Sequence, residues 1–259
     1  MSDPARTPIT ITWIGHSTVL VEVAGVRVLT DPALTRSLAH LRRRHQAPPV
    51  PPVDVVAISH LHMDHLHRRS LRHVAHATAD IVVPAGSTSL LRGMEFSKVH
   101  EVDAGDGVDI ERGDRSLHID VVPADHSGRR GPHSRLVAPA LGYVIRAAGR
   151  SVYFAGDTGL FGAMAEIGEV DVAFVPIWGW GATLGERHLD PASAAKATAL
   201  IQPSHVVPIH WGTYSPVRAG WGAPDWLDAP LDQFRAALDD EGLGDRLVPL
   251  RPGESTSIA

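Results

Sequence analysis

Residues 54–65 place a short apolar run directly before a dense group of side chains that bind metals. The run at 55–58 is apolar and partly β-branched, and it follows the turn-rich residues 48–52, which is typical of a buried strand. Packing does not require three imidazoles and a carboxylate within the next few residues. Imidazole nitrogen suits Zn²⁺, Fe²⁺ or Mn²⁺, and carboxylate oxygen suits the harder of these ions. The pattern therefore predicts a metal site formed by His60, His62, Asp64 and His65.

Three later apolar runs also end in potential ligands. In chain order, these ligands are His126, Asp157 and His210. The carboxyl ends of several strands can meet at one edge of a sheet, where loops leave metal positions open. Seven potential ligands exceed what one tetrahedral ion needs, and they suit two ions.

Asp157 is the natural bridge between two ions, because a carboxylate has two oxygens. The small neighbours Gly156 and Gly159 let the backbone approach the site. Taken alone, Asp157 has a competing interpretation as a turn aspartate that bonds to its own backbone.

Several motifs occur in order between residue 9 and about residue 215. They are Trp13-Ile-Gly-His16-Ser-Thr-Val, Leu29-Thr-Asp31-Pro32, His60-Leu-His62-Met-Asp64-His65, the later His126, Ala155-Gly-Asp157-Thr-Gly, Arg187-His188-Leu-Asp190-Pro191 and Pro208-Ile-His210-Trp-Gly-Thr. With these motifs the chain resembles the metallo-β-lactamase superfamily. The similarity is closest to its N-acyl-phosphatidylethanolamine phospholipase D-like and ascorbate-phosphate-lactonase-like branches. The resemblance implies an α/β (α+β) fold, a four-layer αββα sandwich. We expect one domain over residues 1–259, with two similar halves that join near residues 130–140.

The resemblance also implies two metal ions, usually Zn²⁺, with Mn²⁺ or Fe²⁺ as alternatives. A hydroxide between the ions is then the nucleophile, since metal binding lowers the pKa of water to about 7. Asp64 and His188 are the expected catalytic residues. His188 matches a family histidine that contacts the substrate or leaving group, and a histidine in a capping loop is the alternative. By motif position, His60, His62 and His126 hold one ion, Asp64, His65 and His210 hold the other, and Asp157 bridges them.

Two basic segments lie near the predicted site. Residues 33–52 form a long loop that contains Arg42, Arg43 and Arg44. Guanidinium groups match phosphate or carboxylate oxygens, so these arginines can hold an anionic substrate. A solvated basic turn is the interpretation we favour for them. Arg129 and Arg130 follow His126 and have the same two interpretations.

Other segments also keep two interpretations. His16 lies in the first turn, where it either approaches the site or bonds to nearby backbone. Trp178 and Trp180 either line an apolar, ring-stacking pocket or fill the core.

Two helices are predicted with their N-caps. Residues 191–201 should form a helix with Asp190 at its N-cap, and residues 87–92 a short helix with Ser87 at its N-cap.

Composition excludes several classes of function. The net charge is −5 and no basic stripe is evident, which disfavours a nucleic-acid partner. Cysteine is absent, so disulfides and thiol chemistry are excluded. We expect a cytoplasmic protein without stable membrane insertion, because the sequence has neither a signal-peptide core nor an uninterrupted apolar stretch of about 18 residues. The oligomeric state stays open, including a homo-oligomer.

Three functions follow from these residues. The first is a dinuclear metal-dependent hydrolase that acts on a small-molecule phosphodiester or related phosphate-containing ester. The second is a lactonase or other carboxyl-ester or amide hydrolase, which uses the same metals without an anion clamp. The third is a metal-binding sensing or structural domain. The complete ligand set disfavours the third, because structural sites are closed and use about four ligands.

Overall fold

The computed structural model describes residues 6–179, 185, 187–216 and 225–259. Within these ranges, none of the helices has both the length and the apolar character needed to cross a membrane.

The strands are β1 (Ile9–Gly15), β2 (Thr18–Val23), β3 (Val26–Thr30), β4 (Ser37–Leu38), β5 (Leu41–Arg43), β6 (Val55–Ala57), β7 (Asp80–Pro84), β8 (Lys98–Val102), β9 (Gly107–Arg112), β10 (Arg115–Pro123), β11 (Leu141–Ala147), β12 (Arg150–Phe154), β13 (Val172–Pro176), β14 (His205–Ile209), β15 (Tyr214–Pro216) and β16 (Ser255–Ile258). The α-helices are α1 (Arg68–Val74), α2 (Pro191–Ile201) and α3 (Ala229–Asp240), and short 3-10 helices span Thr88–Leu91, Gly162–Ile167, Asp225–Leu227 and Gly244–Arg246.

Two large mixed sheets carry the fold. The first has the strand order β16-β1-β2-β3-β6-β7-β8 and the second has the order β14-β13-β12-β11-β10-β9. In each sheet, antiparallel strands continue into parallel ones: β3, β6, β7 and β8 are parallel in the first, and β12, β13 and β14 in the second. The chain passes from the first sheet to the second between Val102 and Gly107, before the predicted join near residues 130–140.

The two sheets share one buried apolar core. In β6, Val55 and Ala57 belong to the large cluster that contains residues of both sheets. Val56 belongs instead to a second cluster with Leu71 of α1, because successive side chains of a strand point to opposite faces. Helix α1 thus covers the first sheet, while α2 and α3 pack against the second. This is the four-layer αββα order predicted from the sequence, and that prediction is confirmed.

Residues 33–52 contain a small hairpin where the sequence predicted only a loop. Strands β4 and β5 pair antiparallel, and β15 adds a third strand to them. Leu38, Leu41 and Tyr214 form an apolar cluster on this small sheet. The loop prediction is wrong where β4 and β5 lie, because these short strands depend on a partner from far along the chain.

The short helical segments also differ from the predictions. The predicted helix at residues 87–92 is a 3-10 helix, the form that such short pieces commonly take, and a second 3-10 helix spans Gly162–Ile167. Ser87 precedes its helix as expected, but its hydroxyl donates to the carbonyl of Pro84 (2.6 Å) instead of capping the helix. Strands β1, β2 and β3 form an antiparallel meander.

Helix α2 begins with a complete capping box, as Asp190 predicted. The Asp190 carboxylate accepts from the backbone N–H of Ser193 (2.8 Å), and the Ser193 hydroxyl lies 2.9 Å from the backbone nitrogen of Asp190. Pro191 occupies the first turn, where no N–H is needed. The cap residue lies two residues after His188, and the helix begins at Pro191.

Replacing Asp190 with alanine should therefore destabilise the protein. We expect Asp190→Ala to lower the free energy of unfolding by about 1 kcal/mol, the usual contribution of an N-cap side chain. Urea-induced unfolding measures this change. Asp232→Ala is the matched control, because the Asp232 carboxylate is 82% exposed and pairs with Arg235 on the surface of α3. Equal losses in the two variants would contradict the capping role.

Candidate metal centre

The predicted ligands lie at the carboxyl ends of strands that run in the same direction. In the first sheet, β1 and β3 are both antiparallel to β2, and β6 is parallel to β3. In the second, β10 and β12 are both antiparallel to β11, and β14 continues the parallel part. The loops after these strands meet at one edge. They supply His16, Asp31, the loop with His60, His62, Asp64 and His65, then His126, Asp157 and His210.

Three histidines form the first cluster. The ligand nitrogens of His60, His62 and His126 lie within 4.8 Å of one another. Burial lowers the pKa of His60 well below its ordinary value and lowers the pKa of His62 to about 4. For His60 and His62 this favours the neutral imidazole, the form that binds a metal. His60 Nε2 is buried without a hydrogen-bond partner, so a metal ion fits this nitrogen better than any protein group around it.

The second cluster contains a carboxylate. Asp64, His65 and His210 form it together with His16, and their ligand atoms also lie within 4.8 Å of one another. Asp64 Oδ2 is 3.6 Å from His65 Nε2, 3.9 Å from His210 Nε2 and 3.0 Å from His16 Nε2. His16 therefore approaches the site, and this was one of the two interpretations of the first turn.

Asp157 lies between the two clusters. Its Oδ2 is 3.2 Å from the Nε2 atoms of both His65 and His210. Its carboxylate also lies within 4.8 Å of the ligand atoms of His126 and His188. Oδ1 of Asp157 is buried without a hydrogen-bond partner. The position suits a bridging carboxylate, and that role stays a prediction.

The carboxylates make this edge of the sheets favourable for a cation. Burial alone would raise the pKa of Asp157, but His210 and His65 beside it hold that pKa well below its ordinary value. Burial alone would lower the pKa of His65, yet Asp157, Asp64 and Asp31 raise it well above its ordinary value. The buried negative charges thus favour positive charge among them, which a bound metal ion would supply.

The buried carboxylate of Asp31 orients two of the clustered histidines through hydrogen bonds. Its fully buried carboxylate accepts from the Ser59 backbone N–H (2.7 Å) and the Ser59 hydroxyl (2.5 Å), and it lies 2.7 Å from His65 Nδ1. Ser59 Oγ in turn contacts His60 Nδ1 at 2.9 Å. Such contacts fix the orientation and tautomer of a ligand imidazole. Asp31 belongs to the motif Leu29-Thr-Asp31-Pro32, but its sequence position alone predicts no role for it.

Backbone carbonyls orient two further histidines. His126 Nδ1 lies 2.8 Å from the carbonyl oxygen of Arg187, and His210 Nδ1 lies 2.5 Å from that of Trp178. Each ring therefore turns its Nε2 toward the site. Because carbonyl groups exist at every residue, no sequence pattern identifies these contacts in advance.

The arginines near the site bind protein acceptors. Arg43 is buried and donates to the carbonyls of Ile14 and Ala33. Arg44 pairs with the Asp228 carboxylate through both terminal guanidinium nitrogens (2.7 and 2.9 Å). Arg129 donates to the carbonyl of Ser134 (3.0 Å). Arg130 donates to the carbonyls of Leu61 and Leu66 at 2.6 and 2.7 Å, which closes the loop that carries the ligands. These four guanidinium groups are therefore engaged by protein acceptors.

A cavity of about 410 Å³ opens over the clusters, and we call it the entrance cavity. The rings of Trp178 and Trp226 lie 5.5 Å apart in its wall. His188 also lines it, with its ring 4.6 Å from that of His126. Trp180, predicted to accompany Trp178, lies outside the described residues. The residues that line the entrance cavity are Leu38, Ala39, His40, Leu41, His62, Met63, Asp64, His67, Asp157, Trp178, His188, Pro216 and Trp226.

Comparison with known proteins agrees with this geometry. Residues 26–211 match the model of the beta-lactamase superfamily domain. The chain belongs to the metallo-β-lactamase superfamily. The predicted resemblance is confirmed.

Three relatives are informative. A metal-dependent hydrolase from Methanopyrus kandleri is 33% identical over 250 residues, covering 95% of this chain and 98% of the relative. The N-acyl-phosphatidylethanolamine-hydrolyzing phospholipase D 1 of Caenorhabditis elegans is 27% identical, covering 88% of this chain and 69% of the relative. The structure of Igni18, a metallo hydrolase from Ignicoccus hospitalis, superposes with a TM-score of 0.70 at 27% identity, covering 98% and 99% of the two chains.

The close approach of the Asp157 loop to the His60 loop predicts a strict requirement for glycine at position 156. Gly156 has φ +63°, and a β-carbon there would lie 2.6 Å from Ser59 Cβ and 3.0 Å from the carbonyl oxygen of Leu141. We expect Gly156→Ala to lower the free energy of unfolding by about 2–4 kcal/mol, because a left-handed backbone and a steric clash add together.

Urea-induced unfolding in the presence of a chelator measures this loss without a contribution from bound metal. Gly162→Ala is the matched control, since a β-carbon at Gly162 meets no atom within 4 Å. A Gly156→Ala variant as stable as Gly162→Ala would show that the two loops do not need this approach.

Proposed function

We propose that the chain is a dinuclear metal-dependent hydrolase that cleaves an ester bond in the entrance cavity. The observation that carries the proposal is the pair of ligand clusters joined by the carboxylate of Asp157. The proposed ligands of one ion are His60, His62 and His126, and those of the other are Asp64, His65 and His210. Structural metal sites are closed and use about four ligands, whereas these clusters face a cavity. A sensing or structural domain is therefore the weaker proposal.

The metal ions and the protein have separate tasks in this proposal. Divalent ions, when bound, activate a water near neutral pH and polarise the scissile oxygen. Asp64 and Asp157 keep negative charge at the floor of the cavity, which retains the ions. His188 lines the same cavity beside His62 and Asp157, where its ring can contact the leaving group. The rings of Trp178 and Trp226 exclude water from the substrate side.

We favour a carboxyl ester or lactone with an apolar group as the substrate. The described residues that line the entrance cavity include Leu38, Leu41, Met63 and the two tryptophans, but no lysine or arginine. Four of the five arginines that could have held a phosphate donate to protein acceptors, and the fifth, Arg42, lies outside this lining. An apolar wall gains free energy by burying an acyl or aromatic group, at roughly 25 cal/mol per Å².

A phosphodiester is the second candidate. Its support is the similarity over 251 residues to a phospholipase D from Caenorhabditis elegans, whose name states that it hydrolyses N-acyl-phosphatidylethanolamine. Two metal ions can stabilise the charge of a phosphoryl group without an arginine. This candidate therefore shares the metal clusters and differs only in the bond that is cleaved.

The test of the substrate class is a direct comparison of turnover. The metal-loaded protein is assayed with p-nitrophenyl butyrate, a γ-lactone and bis(p-nitrophenyl) phosphate, with Asp157→Asn as the inactive reference. We expect kcat/KM to be highest for the carboxyl esters, and Trp226→Ala to raise KM for the butyrate more than for p-nitrophenyl acetate. Turnover of the phosphodiester alone would favour the second candidate. Metal-bound protein with no turnover of any of these would contradict ester hydrolysis.

Metal binding should also stabilise the folded protein. At a free metal concentration about 100 times Kd, binding adds about 2.7 kcal/mol to the free energy of unfolding. In a chain of this size we expect a chelator to lower Tm by about 5–10 °C. Differential scanning calorimetry measures the shift. His62→Gln should lose most of it, and His118→Gln should keep it, because His118 pairs with Asp109 on the surface away from the clusters. A Tm that does not respond to the chelator would contradict metal binding.

A further inference from the structure

His16 is held rigidly at the meeting point of the two sheets. It is buried in the turn between β1 and β2, with a left-handed backbone (φ +56°). Its backbone N–H donates to the Thr213 hydroxyl at 2.6 Å. Its carbonyl accepts from the Trp13 indole N–H (2.9 Å) and from the backbone N–H of His210 (3.0 Å). Three hydrogen bonds thus fix a residue in a conformation that L-residues rarely adopt.

The His16 ring faces the second cluster. Its Nε2 lies 3.0 Å from Asp64 Oδ2, and its centroid is 4.0 Å from that of His210. The turn that carries His16 therefore connects the Asp64 loop of the first sheet with the end of β14 in the second.

Asp64 needs such a contact more than its neighbours do. Its side chain is 22% exposed, whereas the side chains of His65 and Asp157 are 0% and 5% exposed, so packing restrains it less. The terminal torsion of a carboxylate is broad, and no rotamer preference holds it in one orientation. A donor on a rigid backbone restrains it.

Building on the proposed function, we propose that His16 is a positioning residue for the metal ligand Asp64. Its Nε2–H donates to Oδ2 and holds the carboxylate toward His65 and His210. Partners of this kind typically change metal affinity or activity by about 10- to 100-fold when they are removed. The competing assignment is that His16 Nε2 is itself a ligand, since it belongs to the same cluster of ligand atoms.

Two substitutions distinguish these assignments. The side-chain amide of His16→Gln keeps an N–H donor but is a poor substitute for an imidazole ligand. His16→Leu keeps volume and removes the donor. The matched controls are His100→Gln and His100→Leu. His100 is on β8, away from the clusters, and its Nε2 lies 2.8 Å from Asp80 Oδ2.

Zn²⁺ affinity is measured by competition with a chromophoric chelator, and the visible spectrum of the Co²⁺-loaded protein reports coordination. We expect His16→Leu to lose about 10- to 100-fold in affinity for one of the ions. His16→Gln should keep most of the affinity and the Co²⁺ spectrum of the wild type. Both His100 variants should bind as the wild type does. The Tm of each variant in chelator checks that it is folded.

Three other outcomes would each overturn the proposal, and they can be told apart. Equal losses in His16→Gln and His16→Leu, with an altered Co²⁺ spectrum in both, would make His16 a ligand. A lower Tm of metal-free His16→Leu with unchanged Zn²⁺ affinity would reduce His16 to a structural role. A wild-type chain that binds no Zn²⁺ or Co²⁺ would overturn the proposed function as well, which separates the two failures.

Discussion

The structure depends on how the negative charge of buried carboxylates is compensated at the edge where the two sheets meet. Asp31 and Asp157 are 0% and 4% exposed, and Asp64 lies beside them. A buried carboxylate without partners would cost several kcal/mol, so each one must meet donors or cations. Here the donors come from the ends of β1, β6 and β14. The strand order and the close approach of the backbone at Gly156 bring those strand ends to one place.

The negative charges of these carboxylates are compensated in two different ways. The Asp31 carboxylate meets the Ser59 backbone N–H, the Ser59 hydroxyl and His65 Nδ1, all on the loop that follows β6, so protein groups satisfy it. Asp157 and Asp64 face imidazoles whose nitrogens face the same space, and one oxygen of Asp157 has no protein partner. The first carboxylate therefore orders the loop, and the negative charge of the other two favours a bound metal ion. Fold and site rest on the same electrostatic constraint.

The sequence predicted those features whose residue types are unusual for packing. Histidines after apolar runs, and the Asp190-Pro191 start of α2, predicted the ligand positions and a helix boundary. The sequence also carried a signal for β9, since Val108 and Ile110 alternate with polar residues, but that strand was not predicted. Strand β16 had no such signal: it is short and polar, and it depends on pairing with β1. Contacts between residues distant in sequence, such as His16 with Asp64 and Asp31 with His65, cannot be found from spacing alone.

The arginines show why residue type is not enough to assign a substrate. Arg43 looked like an anion clamp or a solvated turn, yet it is buried, with its guanidinium carbon 5.5 Å from the centre of the Tyr214 ring. Arg130 tightens the ligand loop through two carbonyls. Side-chain direction decided both cases, and direction follows from the small sheet and the loop packing. With these cations engaged, the apolar walls of the entrance cavity become the main indication of substrate chemistry.

We propose that the two ligand clusters joined by Asp157 bind two metal ions. The decisive measurement is the number of metal ions per chain, determined by inductively coupled plasma mass spectrometry after saturation with Zn²⁺ and removal of free metal. We expect two ions per chain in the wild type. One ion per chain, or none, would contradict it.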